Sequence, residues 1–130
     1  MKINAADKWF SIFIRLRDAD DHGIVTCCTC GKQKHWKDVD CGHYIKRQHQ
    51  ATRYDERNCH AQCKACNYIE QGAEAKHEQY IENTYGRQVV HLLQSAKRHT
   101  CNRSKLDLQI LADQYKFKAK ELAEKKGISI

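Results

Sequence analysis

Proline is absent from all 130 residues, and glycine occurs only six times. A chain so poor in helix breakers is expected to be rich in helix. Aromatic residues make up 8% of the sequence against 30% charged residues, so any core is modest. A metal staple would help so small a core hold together. No apolar run approaches transmembrane length, which argues against a membrane partner. The first twenty residues include Asp7, Lys8, Arg15 and Arg17, leaving no apolar stretch of the kind a signal peptide needs. The expected location is therefore intracellular, in the cytoplasm. Neither an internal repeat nor a low-complexity tract is visible.

Against these absences stand eight cysteines and an excess of positive charge, 23 Lys+Arg against 16 Asp+Glu for a net +7. In a reducing compartment, Cys-x-x-C pairs bind metal more often than they form disulfides. Two such pairs, Cys27/Cys30 and Cys63/Cys66, bracket the centre of the chain, a pattern that reads as one structural Zn²⁺ tying distant turns together. Cys28 is the fallback ligand if the first pair is shifted. Cys28, Cys41, Cys59 and Cys101 otherwise read as small buried apolar side chains. Four zinc-bound thiolates lower the net charge to about +5, still a surface suited to a polyanion such as nucleic acid.

Along the chain, residues 4–19 carry Ala6, Trp9, Phe10, Phe13 and Leu16 at helical spacing, opened by Asn4 or Asp7, with the aromatic stripe as core. Ile24–Thr26 is a short β run. Lys32–Trp36 reads as a polar turn, and 37–45 as a strand with Asp38, Asp40 and Gly42 on one face and Val39, Cys41 and His43 on the other. Residues 46–57 form a loop dense in Arg, Lys, Gln and His. Asn58 is placed as a helix N-cap, with the second cysteine pair at the start of that helix. Two further helices flank Gly86. Ser104 with Asp107 resembles a capping box for a last helix reaching about Lys126 and stopped by Gly127. Its seam of Leu108, Leu111, Tyr115 and Leu122 would pack on the domain or on a second copy, a possible homodimer. The expected organisation is a domain over 1–100 and a helical extension over 101–130.

Inside the cysteine pairs lie residues able to do chemistry. A neutral His43 imidazole could take a proton from water attacking a phosphodiester. Asn67, directly after the last cysteine, offers a rigidly held oxygen to Mg²⁺ or Mn²⁺, which would stabilise the charge of the transition state. Asn58 would bond across the loop and keep His43 aimed. Lys46, Arg47, Arg53 and Arg57 are candidate phosphate contacts. Lys97, Arg98, His99 and Arg103 form a second basic cluster.

The order His43, Asn58, Asn67 resembles the ββα-metal (HNH) nuclease motif. The stretches A-D-K-W-F-S-I-F-I-R-L-R-D-A-D, C-T-C-G, D-C-G-H-Y-I-K-R and T-R-Y-D-E-R-N-C-H-A-Q-C-K-A-C-N, with the following Gly72, resemble the NinG/Rap family of phage recombination endonucleases over roughly residues 5–95. The resemblance implies an α+β fold with a zinc-stapled ββα core and flanking helices. It also implies cleavage of branched DNA such as Holliday junctions or D-loops, with His43 as general base and Asn67 as metal ligand. One departure stands out. Many HNH nucleases place a metal-binding Asp immediately before the catalytic His, where this chain has Gly42. Either a strand bulge brings Asp40 round, or His60 or water fills the place. A non-catalytic zinc-dependent protein that binds branched DNA is the alternative, with Gly42 as its best argument.

Overall fold

The structure, a computed structural model, describes residues 2–130. It is a small α+β protein: four α-helices surround two separate two-stranded antiparallel sheets. Helix α1 (Ala5–Arg17) opens on Asn4, whose side chain accepts from the Asp7 amide while the Asp7 carboxylate accepts from the Asn4 amide. Both residues proposed to start this helix thus share one capping box, each satisfying a donor the first turn would leave bare.

Strand β1 (Ile24–Thr26) pairs with β2 (Gln33–His35), and β3 (Val39–His43) pairs with β4 (Cys59–Cys63). The second strand of the first hairpin falls where a polar turn was expected, because all three of its side chains are exposed and show no alternation. The predicted strand 37–45 is shorter at both ends, since Trp36–Asp38 form a 3₁₀ turn before it. Asn58 does not cap a helix. It ends the 3₁₀ turn Glu56–Asn58 and leads directly into β4. The second cysteine pair therefore sits at a strand end, and only a π-helical turn, Ala65–Ile69, follows it. Gln71, Gly72 and Ala73, all at positive φ, then reverse the chain into α2 (Glu74–Tyr85). Helix α3 (Arg87–Ala96) follows Gly86, and α4 (Lys105–Lys126) runs from the Ser104/Asp107 capping box to a left-handed Gly127.

The elements stack in layers. One face of the β3–β4 sheet packs on α1, whose Phe10 stands edge-on to Tyr54 and Tyr115 at 5.6 and 4.9 Å. The far side of α1 receives α4 through Ala112, Tyr115, Ala119 and Ala123. The α4 seam is thus filled by α1 in the same chain, and the 101–130 segment lies on this core. The opposite sheet face meets α2. There the buried His60 bonds to His77 at 3.1 Å and to the Tyr85 hydroxyl at 3.0 Å. Burial drives the pKa of both imidazoles down to about 3, so both stay neutral in the fold. Among the described residues, no helix is long and apolar enough to cross a membrane.

Gly42 is fixed by packing on that α2 face. A Cβ there would lie 2.2 Å from Gln62 Oε1, and Gln62 is anchored by donating to Thr29 Oγ1 at 3.1 Å and to the Gly72 carbonyl at 2.8 Å. Gly42→Ala is expected to displace Gln62 and to cost about 1–3 kcal/mol in urea unfolding. An unchanged unfolding midpoint would show that the Gln62 contact yields freely.

Candidate metal centre and catalytic cleft

The Sγ atoms of Cys27, Cys30, Cys63 and Cys66 all lie within 4.8 Å of one another. Cys30 and Cys63 are 3.6 Å apart, close to the roughly 3.8 Å edge of a tetrahedron with Zn–S bonds of about 2.3 Å. The first pair closes a tight turn after β1, with the Gly31 amide bonded to the Cys27 carbonyl at 3.0 Å. The Cys63 amide donates to Cys27 Sγ at 3.3 Å, tying the two turns together. Burial raises the Cys27 thiol, but hydrogen bonding with Thr29 and the Cys63 amide outweighs it and brings the pKa to about 6. At Cys66 burial outweighs the hydrogen bond with Thr29, and with the neighbouring thiols of Cys63 and Cys30 it pushes the pKa up to about 12. A stabilised Cys27 thiolate beside the raised thiols of Cys30 and Cys66 suits a site that a soft cation completes. The cluster could hold a metal such as zinc. Cys28 lies outside it, its thiol raised by burial, so the first pair is Cys27/Cys30.

Beside the cluster, a cleft of about 660 Å³ follows the free edge of β3 between α1 and the π-helical turn. Asp40, His43, Arg47 and Asn67 all line it. The β3–β4 register runs residue by residue without a bulge, so Asp40 and His43 keep opposite faces of the strand. Asn67 comes to Asp40 instead, its Nδ2 donating to Asp40 Oδ2 at 3.0 Å. Lys64 holds the other carboxylate oxygen at 2.7 Å. His60, the other candidate for the missing ligand, is on the α2 face and is occupied there.

His43 is half-buried, with its ring 6.4 Å from Phe10. Its Nε2 is 3.0 Å from the Arg53 carbonyl. A carbonyl only accepts, so Nε2 carries the proton and the neutral ring keeps its lone pair on Nδ1. The loop that supplies this carbonyl is pinned by Asn58. The fully buried Asn58 amide accepts from the Ile45 amide at 2.8 Å and donates to the carbonyls of Ile45 and Thr52.

The basic residues separate into different positions. Arg47 lines the cleft. Lys46 reaches the Gln71 carbonyl and Arg57 lies along Asp55, both outside the cleft lining. Arg53, read as a phosphate contact on an exposed loop, is buried, and its guanidinium grips Asp7 with Nε 2.9 Å from Oδ1. Burial alone would raise the Asp7 carboxyl, but Arg53 and the Asn4 amide hold it below the usual carboxylate range. Asp7→Asn is expected to destabilise the protein by about 3–5 kcal/mol in urea unfolding, because a charge is left buried without its partner. A loss under 1 kcal/mol would mean that the pair is solvated. Sequence reading missed Lys8, Arg15, Lys37 and Lys64, which also line the cleft. Lys64 stood between the second pair of cysteines and could have been found by its position. The others reach the cleft only through folding.

These features define a small α+β protein in which a four-cysteine cluster able to hold a metal joins two turns and adjoins a strand–loop–strand–helical turn unit beside a cation-rich cleft. A family model described as "Bacteriophage Lambda NinG protein" matches residues 2–125. The chain belongs to the NinG family. Proteins named "Protein ninG" from Escherichia phage 933W and Enterobacteria phage VT2-Sa are each 32% identical to it over 96 residues, which is 72% of this chain. The aligned region is 44% of each relative, so the chain spans less than half the length of the curated relatives it matches. No solved structure matches the chain.

Proposed function

We propose that this protein is a divalent-metal-dependent endonuclease of the HNH type that hydrolyses phosphodiesters in branched DNA during phage recombination. The observation that carries the reading is His43 itself. Its Nε2 is locked on the Arg53 carbonyl, and its ring lines the same cleft as the Asp40–Asn67 pair. The order β3, loop, β4, helical turn resembles that of a ββα-metal site, with a π-helical turn in the place of the helix, and Asn58 bonds across the loop between the strands. Asp40 supplies a hard oxygen donor, and Asn67, whose amide nitrogen donates to that carboxylate, would offer its own oxygen to an ion on turning the amide over, a set suited to Mg²⁺ or Mn²⁺ that keeps several waters. Such an ion would neutralise charge on the phosphate and the leaving oxygen. Lys64 holds Asp40 through an exposed ion pair worth only about 0–1 kcal/mol, so it yields to a cation at little cost. His43 Nδ1 would take the proton of the attacking water, and Lys8, Arg15, Lys37 and Arg47 would face the DNA backbone.

Gly42 gives the non-catalytic alternative little support, because packing against Gln62 accounts for it. The deciding experiment is cleavage of a four-way junction and a matched linear duplex in EDTA, Mg²⁺ and Mn²⁺. Metal-dependent cutting of the junction is expected. Tight junction binding without cutting under any of these ions would establish the binding protein instead.

The pH dependence follows from the surroundings of His43. Burial lowers its pKa below 6.5, outweighing the carbonyls of Arg53 and Cys41, which pull it up. The protonated ring cannot accept a proton, so cleavage is lost as pH falls through this depressed value. The rate should rise to a plateau with a midpoint below 6.5, read at saturating metal. A midpoint above 7 would assign the titrating group elsewhere.

A further inference from the structure

One other group of soft donors is assembled among the described residues. The ligand atoms of Cys41, His43 and Cys59 lie within 4.8 Å of one another. The register explains the cluster: His43 and Cys59 are cross-strand partners, and Cys41 lies two residues before His43 on the same face. Cys59 is fully buried beneath that face, whereas Cys41 and His43 line the cleft and give an ion a way in. The nuclease reading uses neither cysteine.

We propose that Cys41, His43 and Cys59 form a second, soft-metal site that takes Zn²⁺, and that filling it switches His43 off. Two thiolates and one imidazole are a three-ligand zinc set with a fourth position left for water or an anion. Two thiolates cancel the charge of Zn²⁺, so the filled site is neutral and suits the apolar wall made by Phe10 and Tyr54. Mg²⁺ and Mn²⁺ prefer oxygen and do not compete for it. The switch, unlike the site, rests on the nuclease reading. Because Nε2 is held by the Arg53 carbonyl, the nitrogen open to zinc is Nδ1, the one that must accept the proton of water. Metal binding and base catalysis then exclude each other, and release of the ion restores the base.

The test compares wild type, Cys41→Ala and the Cys41→Ala/Cys59→Ala double variant. Zinc stoichiometry is measured by equilibrium dialysis with elemental analysis, and Mn²⁺-supported junction cleavage is followed as Zn²⁺ is added. Wild type is expected to hold a second equivalent beyond the four-cysteine cluster, and the variants to lose it. Cys41→Ala, at the half-buried cleft wall, tests the site even where the double variant fails to fold. Wild-type cleavage should vanish over the zinc range that fills the second equivalent, while the variants keep theirs. A single equivalent in wild type, or a second one retained in both variants, overturns the site. Equal zinc inhibition of wild type and variants overturns the switch, since it would mean displacement of Mn²⁺. Cysteine-dependent binding of the second ion, with no cleavage by any chain, would retire the nuclease reading and the switch while leaving the site in place.

Discussion

Cys63→Ser is expected to cost the protein its fold. A structural zinc site contributes roughly 10–16 kcal/mol of apparent free energy at neutral pH, against about 5–15 kcal/mol of net stability for a whole domain. The corner it holds has little else. Among the described residues, the cluster of buried apolar side chains at this corner is Cys27, Cys63 and Cys66. The β1–β2 hairpin attached to it has three-residue strands, and all of β2 is exposed. A hairpin of that size is marginal without support. Losing one sulfur also removes the Cys63–Cys30 sulfur contact and the anchor at the end of β4. The expected result is loss of zinc from the purified chain, together with loss of a cooperative thermal transition. EDTA applied to wild type should act in the same direction. Cys28→Ser serves as the control, since its sulfur is outside the cluster and its loss should leave zinc content intact. A cooperative transition at the wild-type temperature in Cys63→Ser would show that packing alone holds this corner.

Local signals carried much of this architecture. Asn4 with Asp7, Ser104 with Asp107, and the glycines at 86 and 127 mark helix ends through their own neighbours, and they fall where the chain chemistry puts them. The cysteine spacing picked out, for the same reason, the four thiols that the fold brings together. What stayed hidden depends on partners far along the chain. Strand β2 has no periodicity of its own and exists because the cysteine turn folds it back on β1. Arg53 looked like a loop cation, yet its partner Asp7 lies 46 residues away. The α4 seam was legible in part: Tyr115 was read as apolar contact, but the small residues Ala112, Ala119 and Ala123 are what let α1 approach closely. Lys118, on the same helix, lies over the rings of Phe13 and Tyr115 and reaches Glu56. Asn67 was singled out by sequence position, but its meeting with Asp40 needed the short π-helical turn, which no periodicity announces.

The chain of contacts behind His43 makes its removal the sharpest test of function. Asn4 caps α1 and helps fix Asp7; Asp7 holds Arg53; the Arg53 carbonyl sets the imidazole, and Asn58 closes the loop around it. None of these supporting bonds is made by the His43 side chain except the last contact to the carbonyl. His43→Ala should therefore leave the zinc cluster, the cleft cations and junction affinity nearly intact. The orphaned carbonyl is expected to cost about 1–3 kcal/mol of stability. Junction cleavage should fall by roughly 10²–10⁴-fold, the usual contribution of a positioned general base. Because the cavity left behind opens on the cleft, added imidazole should restore part of the rate, with a pH midpoint near that of free imidazole instead of the depressed one of His43. Full cleavage by a folded, zinc-loaded His43→Ala protein would remove His43 from the mechanism. Equal loss of cleavage and of junction binding would make it a residue of the DNA-binding surface, because a base that acts only on water has no reason to hold the substrate.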